Sequence, residues 1–555
     1  MKLNGVILLT DQGEIVENPD AVESVILILD VLSLKILIKE IFTLQFKKIW
    51  FFVSFLVTAT YFRNEVGLSK FYSKSIFEIY DTFESIPARV EFDTNKVSIK
   101  KKIFLLSNPL QMKTSLVLKN CNLVNEGEIK PVDVAINGDR IEKIAASLDI
   151  EAEKVIDCAG KYVAPGIIDD QVHFRDPGLT EKGDIRSESL AAVHGGVTST
   201  FDMPNVNPNT TTIELMSARN KLGAEKSWTN YAYYFGATET NIEEIKKLDP
   251  KEICGLKVFM GTSTGTLLVE DDHALEEIFK HCPVTIVTHC EDNETMKNNL
   301  ERVKLENAEI DASFHPIIKD DICCYRSSSK VINLAKKYSS DLHVLHLTTE
   351  KEIELFTNDP VKDKNITCEV CVHHLWFDER DYKELGNLIV CNPAIKKESD
   401  RNALRKALKD GFIDYVATDH APHVYEEKLR PYLQASAGIP LIEHSFHIMM
   451  ELQKQGVYSI EEVVAFMSHK VADRFSIIDR GYIREGYKAD FMIFDLDKET
   501  QVSNDTELTK CGWTPFDGKT FNSSVYGTII NGRAIVIDGK LVSESSSAEK
   551  IIFDR

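Results

Sequence analysis

Eight short apolar runs, each followed by an amphipathic helical stretch, constrain this chain more than any other feature. They lie at 162–174, 195–203, 228–238, 253–261, 284–291, 342–349, 366–375 and 413–423. Strands that alternate with helices pair in parallel, because the helix carries the chain back to the starting edge; this is an α/β pattern. Eight such units without a glycine-rich nucleotide fingerprint favour a closed (β/α)8 barrel of the TIM type over an open doubly wound sheet. Before the barrel, 115–118 and 132–136 are short β-type runs, with Asn137-Gly138-Asp139 as a turn. After it, 482–495 and 525–542 return to short strands, so a small β-sandwich-like domain is expected from both flanks. The predicted domains are an N-terminal extension (1–111), the first part of the small β domain (112–164), the barrel (165–478), and the rest of the β domain with the tail (479–555).

The extension is a different kind of text. It has 13 basic and 13 acidic residues and no histidine, so all 15 histidines and the whole net charge of -21 lie downstream. Its uncharged run 49–62, of 14 residues, is shorter than the about 18 a membrane-spanning helix needs, and reads as a buried or interfacial segment. An extension with no part in the chemistry is the plainer expectation; a membrane-associating or partner-binding arm is the alternative. The acidic balance argues against a nucleic-acid partner. Eleven cysteines at irregular spacing do not form a disulfide framework and suit a reducing cytoplasm. Cys368 and Cys371 form a CxxC followed by His373 and His374, but no second ligand pair follows at zinc-finger spacing, so the stretch reads as one continuous strand.

In a barrel of this kind function collects at the carboxyl ends of the strands. His173, His289, His346 and Asp419 fall there, and Lys257 lies within the fourth strand. A lone histidine in an apolar strand is usually a satisfied core residue; three with an aspartate at successive strand ends point to a shared metal. His343 and His346 are three apart and cannot both face inward, and His346 is nearer the strand end. His373 and His374 are adjacent and meet the same restriction. An ammonium has no lone pair, so Lys257 is a ligand only once carboxylated by carbon dioxide; a buried lysine paired with a carboxylate is the other reading. Arg175, two residues beyond His173, is suited to grip a carboxylate with its planar fork.

The runs YVAPGIIDDQVHFRDPG (162–178), MPNVNP (203–208), GLKVFMG (255–261), HLTTE (346–350), NPAIK (392–396) and ATDHAPH (417–423) together resemble the dihydroorotases of the amidohydrolase superfamily, over about residues 112–555. The resemblance implies a zinc-dependent, reversible hydrolysis of dihydroorotate to N-carbamoyl-aspartate in pyrimidine synthesis. It implies one or two zinc ions held by His173, carboxylated Lys257, His289, His346 and Asp419, with Asp419 also moving the proton. Arg175, Asn205 and His423 would clamp the substrate carboxylate and Asn392 would contact the ring amides. It further implies a small-molecule substrate, a homodimer, and association with other pyrimidine-pathway enzymes.

The family usually carries His-x-His at the end of the first strand, and this chain has Gln171-Val172-His173. A neutral amide oxygen is a weak zinc ligand, so the first metal position is expected to be weakened, or completed by Asp169 or Gln171. The change leaves open a non-catalytic scaffold or partner subunit. A related cyclic amidohydrolase of the hydantoinase, dihydropyrimidinase or allantoinase type is disfavoured by Arg175.

Overall fold

The computed structural model describes residues 8–9, 15–16, 114–261 and 267–555. The chain divides into two compact units, Met1–Pro109 and Leu110–Arg555. In the first, Leu8–Leu9 pairs antiparallel with Ile15–Val16; the 49–62 run lies outside the described residues. No helix among the described residues is long and apolar enough to cross a membrane.

The second unit holds a nine-stranded sheet and two runs of parallel strands. Thr114–Asn125, Glu128–Asn137, Arg140–Ala145, Ala152–Asp157 and Tyr162–Pro165 contribute to the nine-stranded sheet from one flank. Phe491–Asp495, Ser524–Ile530, Arg533–Ile537 and Lys540–Leu541 contribute from the other. The flanks join where Phe491–Asp495 pairs antiparallel with Tyr162–Pro165. The Asn137-Gly138-Asp139 turn lies where the sequence placed it, with Gly138 at φ 62°, while Asn531-Gly532 and Asp538-Gly539 turn the second flank with positive φ at both residues. Leu116, Leu118, Val134, Ile136, Phe491, Ile493 and Ile529 form the apolar core of this sheet.

The run 162–174 is two strands. Gly166 separates Tyr162–Pro165, in the nine-stranded sheet, from Ile167–Val172, in the parallel set. A Cβ there would stand 2.1 Å from the Thr198 side chain, so only glycine permits the crossing. Ile167–Val172 pairs in parallel with Val197–Asp202, and that strand with Asn230–Tyr233. Phe235–Gly236 then begins a six-stranded parallel sheet continuing through Leu256–Met260, Ile286–Cys290, Leu342–Val344, Ile366–Cys371 and Tyr415–Ala417. The run 228–238 is thus broken at Tyr234. A parallel bridge from Val172 to His420 ties the first of these strands to the residues just after the last.

Several runs expected as strands end early. In 342–349 only Leu342–Val344 is strand, in 413–423 only Tyr415–Ala417, and in 366–375 the strand stops at Cys371, where the short helix Val372–Trp376 begins. The chain leaves strand geometry just before His173, His346 and Asp419, so these side chains sit on loops and turns resting on the strand ends, whereas His289 stays within Ile286–Cys290. Helices cap in the expected way: Asp184 accepts from Ser187 N ahead of Ile185–His194, and Asp320 from Cys323 N ahead of Asp321–Tyr338.

Candidate active site

His173 follows the Ile167–Val172 strand and is buried. Its Nδ1 lies 2.8 Å from Asn205 Oδ1 and its Nε2 3.0 Å from Asp419 Oδ1. Gln171 donates from Nε2 to the same Asp419 oxygen at 3.1 Å, which turns its Oε1 toward Cys371 Sγ, 3.8 Å away. Asp169 is used elsewhere: it accepts from the Thr418 hydroxyl at 2.6 Å and from the Thr418 amide at 3.2 Å. Burial pushes its pKa up to about 7 against these donors. Asp169 therefore fixes the backbone beside Asp419.

Across the site, His289 Nε2 meets Glu291 Oε2 at 2.9 Å, and Lys319 donates to the same oxygen at 2.8 Å. A carboxylate only accepts, so Nε2 carries the hydrogen and Nδ1 the lone pair. That Nδ1 lies 3.0 Å from His346 Nε2, while His346 Nδ1 is buried without a hydrogen-bond partner. Two imidazole nitrogens on one tetrahedral zinc, each at about 2.05 Å, stand about 3.3 Å apart, so the pair fits a zinc ion. Lys257 is 1% exposed, with Nζ 4.6 Å from the centre of the Phe259 ring. Burial lowers its pKa to about 8 in spite of Asp419 and Glu369. His343 faces away from this group, toward Thr367, Glu369 and Tyr415.

Arg175 is buried, donates from Nε to Pro422 O at 3.1 Å, and has its guanidinium nitrogen 3.2 Å from His423 Nε2. It forms no ion pair among the described residues. His423 Nδ1 faces Glu427 at 3.1 Å, and Lys182 also pairs with Glu427. Asn392 Oδ1 is buried without a hydrogen-bond partner. Arg175, His346 and Asp419 hold positive φ angles of 67°, 40° and 49°. For non-glycine residues such backbone costs about 1 kcal/mol or more, and it collects at sites where side-chain placement matters more than ease of folding.

The Amidohydrolase family model matches residues 162–535. The chain belongs to the amidohydrolase family. This amidohydrolase is 31% identical to the dihydroorotase of Fusobacterium nucleatum, over 76% of this chain and 99% of that protein. It is 30% identical to the dihydroorotase of Methanothermobacter thermautotrophicus, over 77% of this chain and 95% of that protein. Among solved structures it is similar to the L-hydantoinase (dihydropyrimidinase) of Arthrobacter aurescens. That match has a TM-score of 0.76 and 26% identity, and covers 79% of this chain and 100% of the other. The dihydropyrimidinase of Brevibacillus agri shares the fold at a TM-score of 0.72 and 22% identity, over 79% and 99%.

Sequence reasoning missed the groups that orient the histidines. Glu291 stands two residues beyond His289, a spacing that could have suggested a partner on the same face, whereas Lys319 arrives from a distant turn and left no local signal. The restriction placed on His373 and His374 was also wrong. Because the chain turns helical after Cys371, both rings are buried with their centroids 4.0 Å apart.

Proposed function

We propose that this amidohydrolase is a dihydroorotase, opening the ring of dihydroorotate to N-carbamoyl-aspartate, reversibly, in pyrimidine synthesis. The observation that carries the reading is Arg175, a buried guanidinium without a carboxylate partner of its own. An isolated buried charge is costly, and a carboxylate from the substrate neutralises it. Dihydroorotate carries that carboxylate, while dihydrouracil and hydantoin do not. Two relatives named dihydroorotase, matched over 95% or more of their own lengths, support the same assignment.

Asp419 has the character of a proton carrier. Burial pushes its pKa up, but the His173 hydrogen bond and the neighbouring His173, His373 and Lys257 outweigh burial and leave it below the ordinary carboxylate value. It is therefore ionised at neutral pH, able to take a proton from the attacking water and return it to the leaving ring nitrogen. His289, His346, His173, Asp419 and carboxylated Lys257 would hold the zinc. Zinc, when bound, acidifies water and polarises the amide carbonyl. Burial favours the neutral amine of Lys257, the form whose lone pair attacks carbon dioxide. Asn392 Oδ1 is free to accept a ring N–H. For the architecture we adopt the closed (β/α)8 barrel, supported by the bridge from Val172 to His420. A reducing cytoplasm is supported by eleven free cysteines, including Cys121, whose thiol donates to Cys158 Sγ at 3.4 Å.

The test is Arg175→Met assayed on dihydroorotate and on uncharged dihydrouracil. Loss of a charge-assisted contact worth about 1.5–3 kcal/mol predicts a fall in kcat/KM for dihydroorotate of about 10- to 150-fold. Unchanged kinetics overturns the reading.

A further inference from the structure

Beside Asp419, at the end of the Ile366–Cys371 strand, lies a group of side chains that the proposed hydrolysis does not use. Cys371, His373 and His374 are all buried, and each offers a ligand atom within 4.8 Å of the others. The bend that brings them together is the change from strand to helix at Cys371.

The hydrogen bonding of these residues is incomplete. His374 Nε2 lies 3.0 Å from the Pro393 carbonyl oxygen, which only accepts, so Nε2 carries the hydrogen and Nδ1 the lone pair. That Nδ1 is buried and has no hydrogen-bond partner. Both ring nitrogens of His373 are in the same condition; the Thr418 backbone alongside does not meet hydrogen-bond geometry. Buried polar atoms are normally paired, and three unpaired imidazole nitrogens next to a thiol form an unusual concentration. One imidazole fixed by a backbone carbonyl, with its other nitrogen left open, is the arrangement that orients a histidine toward a metal.

The Cys371 thiol itself donates to Gln171 Oε1 at 3.8 Å. Gln171 stands where the family's first strand usually carries an imidazole, so the chain that lacks one nitrogen donor there places a thiol and two imidazoles opposite it.

We propose that Cys371, His373 and His374 form a zinc site of the Cys-His-His type, distinct from the His289–His346 pair. A thiolate with two imidazoles selects a borderline-soft ion, such as zinc, over magnesium or calcium. Binding displaces the Cys371 thiol proton to solvent and involves no redox step.

The experiment is X-ray absorption at the zinc edge on the full-length protein saturated with zinc. Its readout is metal–sulfur bonding, which is independent of the assigned reaction. The expected spectrum contains a zinc–sulfur shell at about 2.3 Å alongside nitrogen and oxygen scatterers. Cys371→Ser is expected to remove the sulfur shell, and His374→Gln to weaken zinc retention at this site at least about tenfold against a competing chelator. Cys391→Ser, which alters the other thiol near His374, is expected to leave the shell intact. Absence of zinc–sulfur scattering in the saturated unaltered protein overturns the proposal without recourse to any variant, and so does its survival in a folded Cys371→Ser protein.

Discussion

The nine-stranded sheet and the parallel strands are built on opposite terms. In the sheet, Leu116, Val134, Phe491 and Ile529 face one another in an apolar core, and ion pairs such as Lys143–Glu485 and Lys498–Asp538 sit outside in water. Among the parallel strands the most buried positions include Asp169, Asp170, Lys257, His289, Glu291, His346 and Glu369. Burial stabilises the first region directly. In the second, the same burial raises the cost of every charge and shifts pKa values, as at Asp169 and Lys257. A fold that buries many ionisable groups among the parallel strands and only a few, such as Asp133, in the sheet has largely separated its source of stability from its chemistry.

Substitutions in the two regions should therefore fail differently. Lys257→Ala is expected to have the largest effect, lowering kcat by about a thousandfold or more with the fold retained, and short carboxylic acids are expected to restore part of the activity. Steady-state kinetics with and without added acetate, beside a circular dichroism spectrum, checks this. Phe491→Ala should do the reverse. It removes a large buried side chain from the sheet and costs about 3–5 kcal/mol of stability, while the protein that remains folded keeps its kcat. A thermal melt paired with an activity assay at low temperature reads both.

A smaller contrast concerns pH. Asp133 accepts from Lys119 at 2.8 Å and from the amides of Leu148 and Asn120 at 2.8 and 2.9 Å. Burial pushes its pKa up, but these donors outweigh it and hold it below the ordinary 3.8. A group depressed on folding contributes stability above its unfolded value, and that stability is lost as pH falls through the folded value. Asp133→Asn is expected to cost about 1–2 kcal/mol at pH 7 and to remove part of the acid sensitivity below about pH 4, without changing kcat. Denaturant titrations at pH 7 and pH 3.5 measure the difference. The smallest expected effect is that of deleting residues 1–111: a protein beginning at Met112 should be soluble and fully active. Loss of activity in that protein would assign the extension a structural role.

The alternation of strand and helix was legible because β-branched and aromatic runs mark strand starts whatever their tertiary partners. Strand ends were not. His346 and Asp419 adopt positive φ, a conformation that tertiary contacts impose and that no residue type there announces. His173, Lys257, His289, His346 and Asp419 could be picked out because imidazole, amine and carboxylate at strand ends are chemically conspicuous. Their pairing could not. Asn205, expected at the substrate carboxylate, lies 2.8 Å from His173, and Gln171 bridges Asp419 and Cys371. Both contacts depend on how separate strand ends converge. The CxxC pattern carries strand alternation past Cys371, where the backbone turns into a helix and the His373 and His374 ring centroids come within 4.0 Å.

Carboxylate-selective hydrolysis at the ends of the parallel strands is the central proposal for this protein. The most direct measurement is kcat/KM of the full-length, zinc-saturated protein for dihydroorotate, set against dihydrouracil and hydantoin under the same conditions. Formation of N-carbamoyl-aspartate is expected, with a preference of at least about tenfold for dihydroorotate, the lower value of one charge-assisted contact. Equal or better turnover of the uncharged rings, or no turnover of any of the three at metal saturation, would contradict the proposal.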